Sequence, residues 1–284
     1  MKSQIKIITF VLVIITSFLL IKFTASEIDD NFHLYFLDVG QGDALYARDK
    51  SGNDILIDGG PDLSVLTGIG NAMLYNDRVI DYLVLTHPHA DHLFGLVEVV
   101  KRYEVKNIIL TDAIATTQEY QEFLNIIKDK NIHTILANNG EIYKISDNFN
   151  FQIIYPDESF KDTNIKNLNN TSIVGKIIFG SVSIQATGDA EKDLQGKIAN
   201  KYCDQLSSNI IKIAHHGSKN GINTNFFNCV NPEMAIISVG VDNKFGHPHQ
   251  ETLDFLNKNN VKTIRTDEQG TIEIISDGVN FWQK

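Results

Sequence analysis

Short apolar runs rich in β-branched and aromatic residues recur along the chain. They lie at His33–Leu37, Ala44–Arg48, Asp54–Asp58, Tyr82–Thr86, Asn107–Leu110, Phe151–Tyr155, Ile173–Phe179, Val182–Thr187, Ile210–Ala214, Ala235–Val239, Thr263–Thr266 and Thr271–Ile275. Runs of this length bounded by polar or glycine residues read as strands. Apolar residues at helical spacing predict helices within Val65–Leu74, Leu93–Val100, Tyr120–Ile127, Lys192–Tyr202 and Thr252–Leu256. Each half of the chain begins with several strands and ends in strand and helix alternation. That order predicts an α/β protein in which two sheets pack face to face with helices outside, a four-layer αββα sandwich. The polar stretch Asp157–Asn170 reads as an exposed connection between the halves.

The first residues follow a different pattern. Lys2 and Lys6 precede the uncharged, mostly apolar run Ile7–Ile21, which ends at Lys22. This is expected to be a signal peptide or an N-terminal membrane anchor over residues 1–26, with residues 27–284 as the folded domain. Counted from Ile5, about seventeen residues lack charge apart from Lys6, which is at the short limit for spanning a bilayer, and Thr24-Ala25-Ser26 offers small residues for cleavage. Either outcome places the remainder outside the cytoplasm, secreted or anchored to the membrane, since the leading lysines stay inside.

Composition narrows the partners. The chain carries 25 basic and 35 acidic residues; losing Lys2, Lys6 and Lys22 leaves 22 against 35, a formal charge of −13 for the exported part. Such a surface has no broad basic field to attract nucleic acid from a distance, so a polyanion must be held locally. Two cysteines, Cys203 and Cys229, are too few for a disulfide framework; they could form one disulfide in an oxidising compartment, with buried free thiols the favoured reading.

The densest chemistry is Thr86-His87-Pro88-His89-Ala90-Asp91-His92, directly after a strand. Imidazole nitrogen and carboxylate oxygen suit zinc, and also manganese or iron, whereas calcium and magnesium sites are built mainly from oxygens. Further candidates also stand at strand ends: Thr187-Gly188-Asp189, His215-His216-Gly217-Ser218 and Gly246-His247-Pro248-His249. Strands that stop at glycine and then present imidazole or carboxylate provide the geometry a metal centre requires, and three such ends beside HxHxDH point to a dinuclear site.

With these motifs in place, the sequence resembles the metallo-β-lactamase superfamily, and within it the hydrolase-like C-terminal domain of the ComEC/Rec2 proteins of natural competence. The resemblance runs from about Phe32 to the C-terminus through Asp38-Val39-Gly40-Gln41-Gly42-Asp43, Leu56-Ile57-Asp58-Gly59-Gly60, the HxHxDH loop, Asn170-Thr171-Ser172, Thr187-Gly188-Asp189, Ala214-His215-His216-Gly217-Ser218 and Gly246-His247-Pro248. It implies the αββα fold and two metal ions, with His87 and His89 on one, Asp91 and His92 on the other, and Asp189 bridging them. His215 is taken as a further ligand, although sequence does not separate it from its neighbour His216. Asn170-Thr171-Ser172 stands where the full ligand set carries a histidine, so the His87/His89 ion is expected to be held more loosely.

Among the supporting residues, Asp38, Asp43 and Asp58 are expected to orient the imidazoles or to form local turns. Ser218, Lys219 and His247 suit phosphate contacts. Together these features favour a zinc-dependent, or manganese-dependent, phosphodiesterase-like hydrolase acting through an activated water. Asp91 or Asp189 would hold that water, and His247 would donate a hydrogen bond to the substrate or leaving group. Hydrolysis of an amide, ester or lactam and a non-catalytic metal-binding module are the alternatives.

Overall fold

In β1 (Phe32–Phe36) the side chains of Phe32, Leu34 and Phe36 enter one apolar core while Tyr35 packs against another on the opposite side. Successive strand residues point to opposite faces, so a strand apolar on both faces needs a covering layer on each side. The same division occurs in β3 (Asp54–Ile57), with Ile55 and Ile57 on one side and Leu56 on the other. The computed structural model describes Thr9–Val11, Ile14, Thr16 and residues 29–284.

The first sheet adds β2 (Leu45–Arg48), β4 (Val79–Val84), β5 (Glu104–Leu110), β6 (His133–Leu136), β14 (Ile272–Ser276) and β15 (Phe281–Gln283), in the order β15-β14-β1-β2-β3-β4-β5-β6. The second contains β7 (Ile142–Lys144), β8 (Phe149–Tyr155), β9 (Val174–Phe179), β10 (Val182–Ala186), β11 (Ile210–Lys212), β12 (Met234–Ile237) and β13 (Lys262–Arg265), in the order β13-β12-β11-β10-β9-β8-β7. Strands β3 to β6 run parallel, as do β10 to β13, and the remaining pairings are antiparallel.

One core joins the sheets, with Phe32, Phe36 and Ile55 of the first meeting Phe149, Ile177 and Ile184 of the second. Helices α1 (Ser64–Ala72), α2 (Ala90–Arg102) and α3 (Gln118–Asp129) cover the outer face of the first sheet through Val65, Ile69, Leu93, Leu96, Phe123 and Ile127. On the other side α4 (Lys192–Leu206), α5 (Thr224–Val230) and α6 (Gln250–Lys258) cover the second through Leu194, Ile198, Phe226, Val230 and Leu256. The result is the four-layer αββα sandwich expected from the strand and helix order.

Three expectations are corrected or lie elsewhere. Asp157–Asn170 joins β8 to β9 within the second sheet; the crossing between sheets lies earlier, over residues 137–141 between β6 and β7, because Phe149–Tyr155 pairs with β9. Cys203 and Cys229 are not buried free thiols. They form a disulfide with Cα atoms 5.1 Å apart, since α4 and α5 bring them together and Cys203 faces solvent. The N-terminal targeting or anchoring segment falls largely outside the described residues, among which no helix is long and apolar enough to cross a membrane. Strands β6, β7 and β15 and helix α5 are additional to the sequence reading; the three strands are short, largely exposed sheet edges with little apolar signal.

Candidate metal centre

Parallel neighbours end on the same edge of a sheet, so loops after β3 and β4 meet those after β10, β11 and β12 at one end of the sandwich. Asp58 follows β3, the HxHxDH loop follows β4, Asp189 follows β10, and His215-His216 follows β11. Two glycines let backbones approach closely enough to finish the site. A Cβ on Gly95 of α2 would lie 1.9 Å from the Gly59 carbonyl oxygen, and one on Gly42 would lie 2.4 Å from that of Asp91. These contacts press the turns bearing Asp58 and Asp43 against the start of α2.

Asp58 is buried and adopts a left-handed backbone with φ of 62°. Its carboxylate accepts from the Thr86 amide at 2.8 Å and the Thr86 hydroxyl at 2.7 Å, and lies 2.7 Å from His92 Nδ1. The contact fixes the His92 ring and aims Nε2 inward, 3.4 Å from Asp189 Oδ2. That Nε2 is buried and has no hydrogen-bond partner. His216 is oriented in the same manner: Nδ1 lies 3.0 Å from the Ser238 carbonyl oxygen, while Nε2 lies 3.3 Å from Asp91 Oδ2 and 3.7 Å from Asp189 Oδ2. One donor atom each from Asp91, His92, Asp189 and His216 falls within 4.8 Å of the others. Two imidazoles and two carboxylates, one with an orphaned inward nitrogen, form a donor set that fits a divalent transition metal.

Electrostatics within the cluster are those of a cation site. Burial opposes charge on both histidines, yet Asp189, Asp58 and Asp91 raise His92 well above the ordinary imidazole range, and Asp189 and Asp43 raise His216 to about 9. Burial likewise opposes ionisation of Asp189 and Asp91, but His92 and His216 bring both below the usual carboxylate range. The carboxylates therefore gather positive charge, which the protein supplies as protons on imidazole and a metal would supply directly.

His216, not His215, enters this cluster. Both residues have left-handed backbones, with φ of 53° and 51°, so the two side chains diverge. The His215 ring turns to Glu191, with Nδ1 3.6 Å from Oε1, and to Asn169 Nδ2 at 3.5 Å, while its backbone amide donates to Asp189 Oδ1 at 3.2 Å. His87 is buried and its Nε2 lies 3.0 Å from Nδ1 of His89. Among the described residues, no third histidine, cysteine or acid joins that pair in a cluster with metal-binding reach. The second cluster that does assemble, Asp43, Asp58 and His92, shares His92 with the first.

Other expected residues lie near the centre without entering it. The Asn170 carboxamide accepts from the Glu191 amide at 3.1 Å, so this residue ties the segment before β9 to the start of α4; its neighbour Asn169 is the one that reaches toward His215. Asp38 is exposed and accepts from the Gly40 amide, which makes it a turn residue and not a support for the imidazoles. Ser218 is buried, with its amide donating to the His215 carbonyl and its hydroxyl accepting from the Asn220 amide, which leaves it to stabilise the turn. His247 stands at the rim, its ring 5.6 Å from that of His215 and 6.3 Å from that of His216. Burial and the neighbouring histidines lower it to about 4, so it is neutral at pH 7. The Gln41 amide faces its Nδ1 at 3.4 Å.

One central residue is additional to the sequence reading. Lys212 of β11 is 4% exposed and pairs with Asp43. Its signal was a charge inside an otherwise apolar strand, Ile210-Ile211-Lys212-Ile213-Ala214.

Known proteins resemble this chain in sequence and in fold. The chain is 28% identical over 255 residues to ComE operon protein 3 of Bacillus subtilis, covering 84% of this chain and 32% of that one. It is 27% identical over 239 residues to competence protein ComA of Neisseria gonorrhoeae, covering 83% and 31%. The chain thus spans about a third of the length of these relatives. Among solved structures, the metallo-beta-lactamase fold protein YhfI of Bacillus subtilis superposes with a TM-score of 0.56 at 11% identity, covering 90% of this chain and all of that one, a likeness of fold. Residues 37–198 match the profile of the metallo-beta-lactamase superfamily, and the chain belongs to that superfamily.

Proposed function

We propose that this protein is an extracytoplasmic metal-dependent phosphodiesterase whose metal is held by Asp91, His92, Asp189 and His216. The observation that carries the reading is the convergence of these four donors, with His92 Nε2 buried and unpartnered among them. A divalent ion held there, zinc or manganese, would supply a Lewis acid able to activate water and neutralise charge on a phosphoryl group. Asp91 is the only one of the four that is partly exposed, which suits it to orient the attacking water by accepting a hydrogen bond, while buried Asp189 holds its place between the two imidazoles. His247 acts as a neutral donor. With Gln41 donating to Nδ1, the ring proton resides on Nε2, free to bond a phosphoryl or leaving-group oxygen.

The rim supports a substrate with an aromatic or nucleoside group beside its phosphodiester. Phe245 is 54% exposed and stacks on His247, with ring centroids 5.7 Å apart. Asn243 braces the loop: its Oδ1 accepts from the Phe245 and His247 amides and its Nδ2 donates to the Gly240 and His247 carbonyls. The acidic chain lacks a long-range basic field, which favours short substrates over a processive polymer. Residues 27–284 are proposed as the hydrolase unit, with the N-terminal segment exporting or anchoring it; the Cys203–Cys229 disulfide suits an oxidising compartment.

The test is turnover by zinc-loaded or manganese-loaded protein of thymidine 5′-(p-nitrophenyl phosphate), an aryl ester and a chromogenic lactam. Metal-dependent cleavage of the phosphodiester, abolished by chelation and by Asp189→Asn, is the expected result. Preferential cleavage of the ester or lactam would replace the substrate class, and no turnover of any would leave a binding module.

A further inference from the structure

The charge at Lys212 reaches across the sandwich. From β11 in the second sheet, its ammonium donates to Asp43, on the loop before β2 in the first sheet, and to the Gly188 carbonyl oxygen at 3.1 Å. It also lies 3.8 Å from Asp189 Oδ1. Asp43 in turn has its Oδ1 3.4 Å from His216 Nδ1, and its own amide donates to the Asp91 carbonyl at 3.2 Å. A buried ammonium is costly unless carboxylates compensate it, and buried carboxylates left close together without a cation are equally costly. Lys212 therefore neutralises the acids around the centre with a charge covalently fixed to the fold.

We propose that Lys212 is a positioning residue that acts as a resident counter-cation: it holds Asp43 and Asp189 in place in the metal-free protein and weakens the centre's hold on a divalent ion. The inference rests on the metal-centre reading above. Two cations facing the same carboxylates repel each other, and one that is always present lowers the affinity for one that exchanges. The Lys212–Asp43 pair also accounts for the second acidic cluster: Asp43 is taken by Lys212 and Asp58 lies against His92 Nδ1, so both carboxylates of that corner already have partners.

The test compares wild type, Lys212→Met, Asp43→Asn and the double variant by thermal melting with chelator and with saturating zinc, and by calorimetric zinc titration. Methionine approximates the lysine stem without its charge. Lys212→Met should lower the melting temperature of the chelated protein by about 5 °C more than that of the zinc-saturated protein. It should also bind zinc about 10-fold more tightly. The double variant, which removes both charges, should return both quantities toward wild type. Equal losses with and without zinc at unchanged affinity would reduce Lys212 to packing and overturn the proposal. If Lys212→Met does not fold without metal, the double variant decides: a folded double variant with near-wild-type affinity supports the counter-cation role, and an unfolded one refutes it. Absence of zinc binding to wild type would instead remove the metal-centre reading, and the proposed effect on affinity with it.

Discussion

His92 Nδ1 lies 2.7 Å from Asp58 Oδ2, and this contact fixes which nitrogen of His92 faces the centre. Asp58 can hold the ring because the Thr86 amide and hydroxyl hold the carboxylate in turn, so the turn after β3 supports the loop after β4. Replacing Asp58 with Asn weakens the acceptor that orients His92. Zinc affinity measured by calorimetry should fall by about 10-fold to 100-fold, with far-UV circular dichroism unchanged. Wild-type affinity would show that His92 needs no such support.

The adjacent histidines should separate cleanly. His216→Ala removes a donor from the cluster and should reduce bound zinc to well below one equivalent after gel filtration, measured by elemental analysis. His215→Ala should retain it, because that ring faces Glu191 and Asn169. The reverse pattern would restore His215 as the ligand.

Away from the centre, Asp54 gives stability a pH dependence. Burial, with smaller contributions from Asp81 and Asp77, raises its pKa to about 7. The folded protein therefore binds a proton more tightly than the unfolded chain, so this residue contributes stability that is full below about pH 4 and is lost as pH rises to about 7. In Asp54→Asn that loss should disappear, making the slope of stability between about pH 4 and pH 7 more positive than in wild type in denaturant titrations. Tyr46 keeps a hydrogen-bond partner in this variant. Identical slopes would place the native pKa near its ordinary value.

The disulfide staples two outer helices. Cys203 and Cys229 are 26 residues apart, and opening a loop of that size should cost about 2–4 kcal/mol of stability. The Cys203→Ser/Cys229→Ser variant should show this loss in denaturant titration, and thiol titration of protein purified without reductant should find no free cysteine. Two reactive thiols in that material would argue for a reduced state.

The strand and helix alternation was legible in the sequence because β-branched runs and helical spacing are local signals, and the αββα order follows from their succession. The grouping of His87, His89, Asp91 and His92 near one strand end was equally legible, since six consecutive positions after a strand cannot diverge far. Tertiary structure decided what depends on side-chain direction and distant partners. His215 and His216 are adjacent in sequence, yet paired left-handed backbones send one ring to Glu191 and the other to Asp91 and Asp189. Asn170 stands close to the right place, but its carboxamide is used by the Glu191 amide. Lys212 and Asp43 are 169 positions apart, and only the packing of one sheet on the other makes them a pair. A sequence lists the groups that can ionise or ligate; the fold sets which of them share a buried volume, and in that volume Coulombic and desolvation energies are large enough to assign their roles.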